Sequence, residues 1–465
     1  MAWLLSALAV VFLLLGTGAV FAGMAVASSS SKPLAVPTTK PSTAPARPTP
    51  SASPTPSRVR TCSVAAAAAD PRLTTLSGSV VRFDSGEVLW DHAAATPATT
   101  GSPLKLLISA AAVSILGPDF QIATDVVDGS VPGTIVLIGH GDPTLSALGS
   151  GQESVYAGAP KLSDLATQTI ANYATKHAGV PITQVVLDAS YWGTADRWTP
   201  DVKRSEQTQG YQSETTALQV DADRANPRAQ TSARSTDPIG RAGAAFIAAL
   251  KAADTSGLVG GSVTTSLGTA LAGSAPLAEV KSQPLRTLVK QMLLASDNTL
   301  GEMLARVTSR AAGLDGSAAS LNKVIPGTLD SVYHLPIAGV KIVDGSGESP
   351  SDLVPPTTMT ALMRQVQAGT QDLDVVRDGL AIAGKTGALA TRFTGANAIA
   401  RGHVAAKTGW VDIEYSLVGT VTAADGTVLE FAFYAIRPGI AASAKAALDT
   451  LTTAVFTCGD NLSNN

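Results

Sequence analysis

Charge is scarce in this sequence. Only 15% of the 465 residues are charged, and the formal net charge is −3. Without a basic excess there is no electrostatic footprint for nucleic acid or an anionic membrane surface, so composition calls for neither as a partner. Histidine is scarce as well. Five are scattered along the chain beside only two cysteines, so no ligand cluster has metal-binding spacing, and the sequence calls for no metal and no cofactor. Apolar residues are plentiful at 45%, which suits a compact core rather than disorder. The length calls for two or three domains.

Charge is missing altogether from Ala2 to Ala27, a mostly apolar run long enough to span a bilayer. It ends in Ala25-Val26-Ala27, an A-x-A cleavage pattern, yet Met1-Ala2-Trp3 lacks the basic start of a signal peptide. Residues 1–31 therefore read as a cleaved signal peptide or as an uncleaved membrane anchor. Either one sends the remainder out of the cytoplasm. A buried core helix fits poorly, because residues 32–61 form a Pro/Ser/Thr-rich linker that cannot bury a core. Cys62 follows that linker and Cys458 lies near the end of the chain. In an oxidising compartment they are expected to pair and staple the ends of the folded part; two free buried thiols is the alternative.

The central stretch runs from Gly101 to Pro118. Ser102 reads as an N-cap, Pro103 as the first helical residue and Gly117-Pro118 as the stop. The residues between are apolar or small almost all round, so the helix is expected to be buried on every side, with Lys105 the exception. Ser102 and Lys105 are three apart and share a face. A serine hydroxyl needs a neighbouring base to become a nucleophile, and a lysine in an apolar surround loses its preference for the charged form. The plainer reading is that Ser102 caps the helix while Lys105 reaches the surface. A Ser-x-x-Lys spacing alone does not decide between them.

Further along, Val80 to Trp90 reads as strand, Ser-Gly turn, strand. Strands are expected at Thr134–Ile138 and Gln184–Asp188, and helices around Leu162–Tyr173 and Ala242–Lys251. Polar strands follow to about Val280. Leu285–Ala295 is helical, Ser296-Asp297-Asn298 interrupts it, and Thr299–Val307 resumes it. Val340–Val343 reads as a strand entering the Gly-rich turn Asp344–Gly347. The C-terminal part reads as strand-rich, with Ser416–Val421 and Val428–Ala435 joined through Asp425-Gly426. The pattern predicts an α/β (α+β) fold with helices packed on an antiparallel sheet. The expected division is a catalytic domain of residues 62–125 and 281–465, interrupted by a mostly-β inserted region at 126–280.

Three short motifs now stand in order: Ser102-Pro103-Leu104-Lys105, Ser296-Asp297-Asn298 and Lys407-Thr408-Gly409. Each is weak alone, but the ordered trio in these contexts is specific, and it is the set found in class A β-lactamases and penicillin-binding proteins. It assigns Ser102 as nucleophile, Lys105 as its base, Ser296 as a proton relay and Asn298 as a holder of the substrate amide. Lys407 and Thr408 offer charge and a donor to a substrate carboxylate, and Gly409 lets the substrate backbone lie close. The N–H groups of Ser102 and Trp410 would form an oxyanion hole. A second copy, Lys385-Thr386-Gly387, also fits the third motif. Lys407 is expected to open a strand, and the hairpin pattern after it, absent after Lys385, selects the later copy.

From roughly Thr75 to Val455 the sequence resembles the class C low-molecular-mass penicillin-binding proteins, which are D-Ala-D-Ala carboxypeptidases and endopeptidases. The resemblance extends to Leu116–Phe120, Gly141–Leu145, Leu187–Ser190, Ser296–Leu304 and Asp344–Gly347, and to the long insertion between the first two motifs. It implies a serine transpeptidase-like domain with an inserted accessory region, and hydrolysis of D-Ala-D-Ala bonds or peptide cross-links in peptidoglycan. The implied partners are peptidoglycan stem peptides and β-lactam antibiotics, in the cell wall or at the outer face of the cytoplasmic membrane. Two departures stand out. Trp410 occupies a position where the family usually has Thr or Ser for carboxylate binding. Glu348-Ser349-Pro350 follows Gly347 where the family continues Leu-Ser-Arg. A β-lactamase-like hydrolase, and a catalytically weak wall-binding or scaffold protein, are the competing functions.

Overall fold

The buried helix around Lys105 forms as expected, and the molecule is layered around it. The computed structural model describes residues 59–464; the apolar N-terminal segment, and the linker as far as residue 58, lie outside the described residues. Strand β1 (Thr75–Arg82) and β2 (Val88–His92) form the expected hairpin. Helix α1 (Leu104–Leu116) follows and stops at Gly117. Next come β3 (Ala123–Asp128), β4 (Thr134–Gly139), α2 (Leu162–Lys176), β5 (Ile182–Asp188), α3 (Pro238–Ala253), β6 (Val259–Leu267) and β7 (Pro276–Lys281). The chain then runs through α4 (Leu285–Ala295), α5 (Asn298–Ala311), α6 (Ala318–Tyr333), α7 (Pro356–Ala368), β8 (Ala381–Ile382), β9 (Val404–Val411), β10 (Glu414–Thr422), β11 (Val428–Ile436) and α8 (Ala444–Cys458).

The first sheet is antiparallel throughout, in the order β2-β1-β11-β10-β9-β8. Strand alternation divides its central residues between two cores. Val418, Ala432 and Tyr434 join the core built on α1, α4, α5 and α6. Leu417, Phe431 and Phe433 face the other core, where α8 covers the sheet with Leu448, Leu451 and Val455. The result is helix, sheet, helix, with α1 wrapped by helices on its remaining sides.

The second sheet, β6-β5-β4-β3-β7, runs from Ala123 to Lys281, just past both bounds expected for the insertion, and has its own core of Val126, Leu137, Leu165, Tyr173, Leu187 and Phe246. Residues 126–280 were expected to be mostly β. The strands are there, and so are two long helices. The cause is topological: β4, β5 and β6 run parallel, and parallel neighbours need crossover connections, here α2 and α3.

Four further differences have local causes. Val340–Val343 is not a strand. Only Lys341 bridges to Leu353, because Asn322 and Asp352 side chains accept the N–H groups of Ile342 and Val343 that a ladder would use. The C-terminal stretch is not only strand: α8 closes it. Lys407 does not open its strand, which begins three residues earlier at Val404. Ser102 and Pro103 form a tight turn ahead of α1 rather than cap and first helical residue. Cys62 and Cys458 are joined by a disulfide, with Cα atoms 5.4 Å apart. Beside it Cys62 N–H donates to Asn461 O, and Ser463 N–H to Cys62 O, at 3.0 and 2.8 Å.

Candidate active site

Three chain segments converge at the start of α1. The turn before the helix is held by backbone bonds from Leu104 to Gly101 and from Lys105 to Ser102. Ser102 therefore has no capping duty, and its Oγ lies 2.9 Å from Lys105 Nζ. Lys105 Nζ also donates to Asn298 Oδ1 at 2.8 Å and to the Ser346 carbonyl. Lys105 is fully buried; loss of hydration lowers its pKa, against the opposing pull of Glu348, Asp344, Asp297 and Glu302.

The second motif sits where α4 breaks into α5. Ser296 ends α4 with φ of 56°, and Asp297 caps α5 by accepting from Leu300 N–H at 3.0 Å. Asn298 is then the first helical residue and faces Lys105. The third motif comes from β9. Lys407 is 1% exposed, and its Nζ donates to Ser296 Oγ and to Thr408 O, both at 2.8 Å. Burial lowers its pKa well below the ordinary value; nearby Lys105 adds to this and Glu414 opposes it. Gly409 is required by packing: a Cβ there would overlap Ser416 Oγ and the Thr100 carbonyl. This close approach brings the strand against the residues preceding Ser102.

Ser102, Ser296, Asn298, Thr408, Gly409 and Trp410 line one cleft of about 280 Å³. Trp410 is 48% exposed, at the rim, with its ring centroid 6.3 Å from that of Tyr415. The structure thus gathers every residue of the three motifs, and it does not bring Lys385 to them. Lys385 is exposed, in a turn beyond β8.

Sequence reasoning missed the groups that hold these residues in place. Asp297 was read only as part of a helix break. Its carboxylate forms a buried ion pair with Arg224, 2.7 Å apart, and accepts from Tyr156 OH at 2.7 Å. Burial acts to raise the Asp297 pKa, but the charges of Arg224 and Arg234 prevail and hold it below the usual carboxylate range. Arg224 and Tyr156 come from the insertion, far away in sequence, and no local pattern announces them. Asp344 accepts the N–H groups of Ser346, Gly347 and Ser349, which fixes the turn that presents the Ser346 carbonyl to Lys105. Glu348, noticed earlier only as a departure from a family pattern, accepts from Asn298 Nδ2.

The similarities of the chain agree with this geometry. The model of the D-Ala-D-Ala carboxypeptidase 3 (S13) family matches residues 61–251 and 224–455. A carboxypeptidase of Mycobacterium tuberculosis is 34% identical over 407 residues, which cover 86% of this chain and 84% of that protein. Carboxypeptidase DacB of Mycolicibacterium smegmatis is 33% identical over 403 residues, covering 85% and 83%. Among solved structures, penicillin binding protein 4 from Haemophilus influenzae shares the fold, with a TM-score of 0.70 at 18% identity over 85% of this chain and 99% of that one. A second structure of the Haemophilus protein, complexed with a β-lactam, has a TM-score of 0.65 at 18% identity, with the same coverage. The family model and the two mycobacterial relatives span nearly all of the described residues, and on that basis the chain belongs to the D-Ala-D-Ala carboxypeptidase 3 (S13) family and is a serine-type D-Ala-D-Ala carboxypeptidase.

Proposed function

We propose that Ser102 is the nucleophile that cleaves the terminal D-Ala-D-Ala bond of peptidoglycan stem peptides, and peptide cross-links, through an acyl-enzyme. One observation carries this reading. A neutral lysine amine has two N–H groups and one lone pair. Asn298 Oδ1 and Ser346 O can only accept, so they take the two N–H groups. The lone pair is left facing Ser102 Oγ, which is the arrangement a base needs. The pKa of Lys105, lowered by burial, favours this uncharged form.

Lys105 then takes the hydroxyl proton as Oγ attacks the carbonyl carbon. Ser296, bonded to Lys407, passes a proton to the departing D-Ala amine. Asn298 holds the substrate amide, and the N–H groups of Ser102 and Trp410 receive the oxyanion. Lys407, Thr408 and Gly409 lie along the substrate, with Thr408 and the Trp410 rim near its terminal carboxylate. β-Lactams acylate the same serine in this reading, which the β-lactam complex of the Haemophilus relative supports. Residues 126–280 act as an accessory domain that braces the second motif through Arg224 and Tyr156. The Cys62–Cys458 disulfide supports an extracytoplasmic location.

The test is incubation with a fluorescent penicillin followed by peptide mapping, alongside release of D-Ala from a stem pentapeptide. The expected adduct is on Ser102, and Ser102→Ala loses both signals. An adduct on another serine would overturn the assignment.

A further inference from the structure

The acylation chemistry above leaves two carboxyls of the cleft, Glu206 and Glu348, without a task, and of these Glu348 is the one hydrogen-bonded to a motif residue. Glu348 lines the same cleft as Ser102 and also an adjoining one of about 190 Å³. Its backbone is held close to the nucleophile. Gly347, with φ of 81°, packs so tightly on Gly101 that a Cβ would overlap the Gly101 carbonyl. The three N–H groups bound by Asp344 fix the turn on either side of Glu348. Its carboxylate Oε1 accepts from Asn298 Nδ2, and Asn298 Oδ1 in turn meets Lys105. The carboxyl is thus aimed along the edge of the site, two hydrogen bonds from the amine that touches Ser102.

Acylation changes what the site needs. Once Ser102 carries an ester, its Oγ has no proton to give, and the next reactant is a water entering through the cleft that Glu348 lines. We infer that Glu348 is the general base of deacylation, taking a proton from the water that attacks the acyl-Ser102 ester; this rests on Ser102 being the acylated group. The steps balance. The first proton of water goes to Glu348 as the water oxygen bonds to the acyl carbon. The bond from that carbon to Ser102 Oγ then breaks, and the second proton reaches Oγ through Lys105. The product leaves as a carboxylate, and Glu348 returns its proton to solvent.

The surroundings suit a group that changes protonation near neutrality. Burial pushes the Glu348 carboxyl up to about 7; Lys105 draws it down, while Glu206 and Asp344 push it up. Asp201, Lys203 and Asp412 line the adjoining cleft. As a base Glu348 works ionised, so deacylation speeds up as pH rises through about 7.

Glu348→Gln keeps an oxygen that accepts from Asn298 Nδ2 and removes the base. The full chain and this variant are labelled with a fluorescent penicillin, and formation and loss of the adduct are followed separately across pH. The expected result is a formation rate within about threefold of the parent and an adduct lifetime longer by about 10²–10⁴-fold, with the neutral limb of the loss rate gone. Glu348→Asp, which retains a carboxylate, is expected to recover part of the loss rate. An unchanged lifetime in Glu348→Gln overturns the inference. Equal falls in formation and loss also overturn it, since they describe a residue that only positions Asn298. The parent alone provides a check if the variants fold poorly: a loss rate that is flat across neutral pH is equally fatal. No adduct on Ser102 in the parent is a different result, and it overturns the nucleophile itself.

Discussion

The chain carries Lys-Thr-Gly twice, at 385–387 and 407–409, beside neighbouring strands of one sheet. Lys407 lies inside an eight-residue strand, opposite Val418, and alternation delivers its side chain to the buried face. Lys385 lies past the two-residue strand β8, where its N–H and that of Thr386 both return to Ile382 O. Thr386 Oγ1 accepts from Ile382 N–H, and Gly387 turns away with φ of 54°. One tripeptide is thus spent on closing its own turn, while the other sends Lys407 to Ser296 and lines the cleft with Thr408 and Gly409. A motif becomes a site through depth and strand register, and residue types alone do not supply either.

The most severe test of this contrast is the nucleophile. Ser102→Ala is expected to abolish covalent penicillin labelling with an unchanged circular dichroism spectrum; residual label near residues 385–387 would reverse the contrast. Next is the pair of lysines. Lys407→Ala is expected to lower the second-order acylation rate by about 10²–10³-fold, the worth of one preorganised donor. Lys385→Ala should leave it within about twofold, as an exposed side chain allows. Equal effects in stopped-flow labelling would erase the distinction. The glycines give a smaller difference, in stability. Gly409→Ala forces a methyl into Ser416 and Thr100 and is expected to cost about 3 kcal/mol in urea unfolding. Gly387→Ala meets a left-handed backbone and tight but milder contacts, 3.0 Å to Ala381 Cβ and to the Leu294 carbonyl, and should cost less, about 2 kcal/mol. The smallest effect concerns the rim. Trp410→Thr restores a hydroxyl and is expected to lower KM for a D-Ala-D-Ala peptide by about 2–10-fold, one hydrogen bond's worth. An unchanged KM would remove Trp410 from carboxylate binding.

The three motifs were legible because acyl transfer demands particular residue types at helix starts, helix breaks and strand edges, and such places leave marks in sequence. The hairpin after Lys407 was legible in the same way, through Asp425-Gly426. The strand start at Val404 was missed although Gly402, with φ of 80°, marks the turn before it, because the motif at Lys407 drew the boundary. Val340–Val343 misled because its apolar pattern suits a strand, whereas Asn322 and Asp352 had claimed its N–H groups. Helix α8 was overlooked although Leu448, Leu451 and Val455 carry helical spacing, because strands dominated the reading of that region. The support of Asp297 by Tyr156 and Arg224 could not be read at all. It depends on the inserted region folding back, and the partners stand 141 and 73 residues from Asp297.

The Cys62–Cys458 bond has a mechanical meaning. The bridge spans 396 residues of sequence with 5.4 Å between Cα atoms. Tension applied at residue 59 and at residue 464 enters one cysteine and leaves by the other. It runs through a covalent shunt and bypasses both sheets and the cleft between the three motifs. Stretching that would peel β-strands from an open chain instead loads two sulfur atoms, and the catalytic body rides slack beside the line of force.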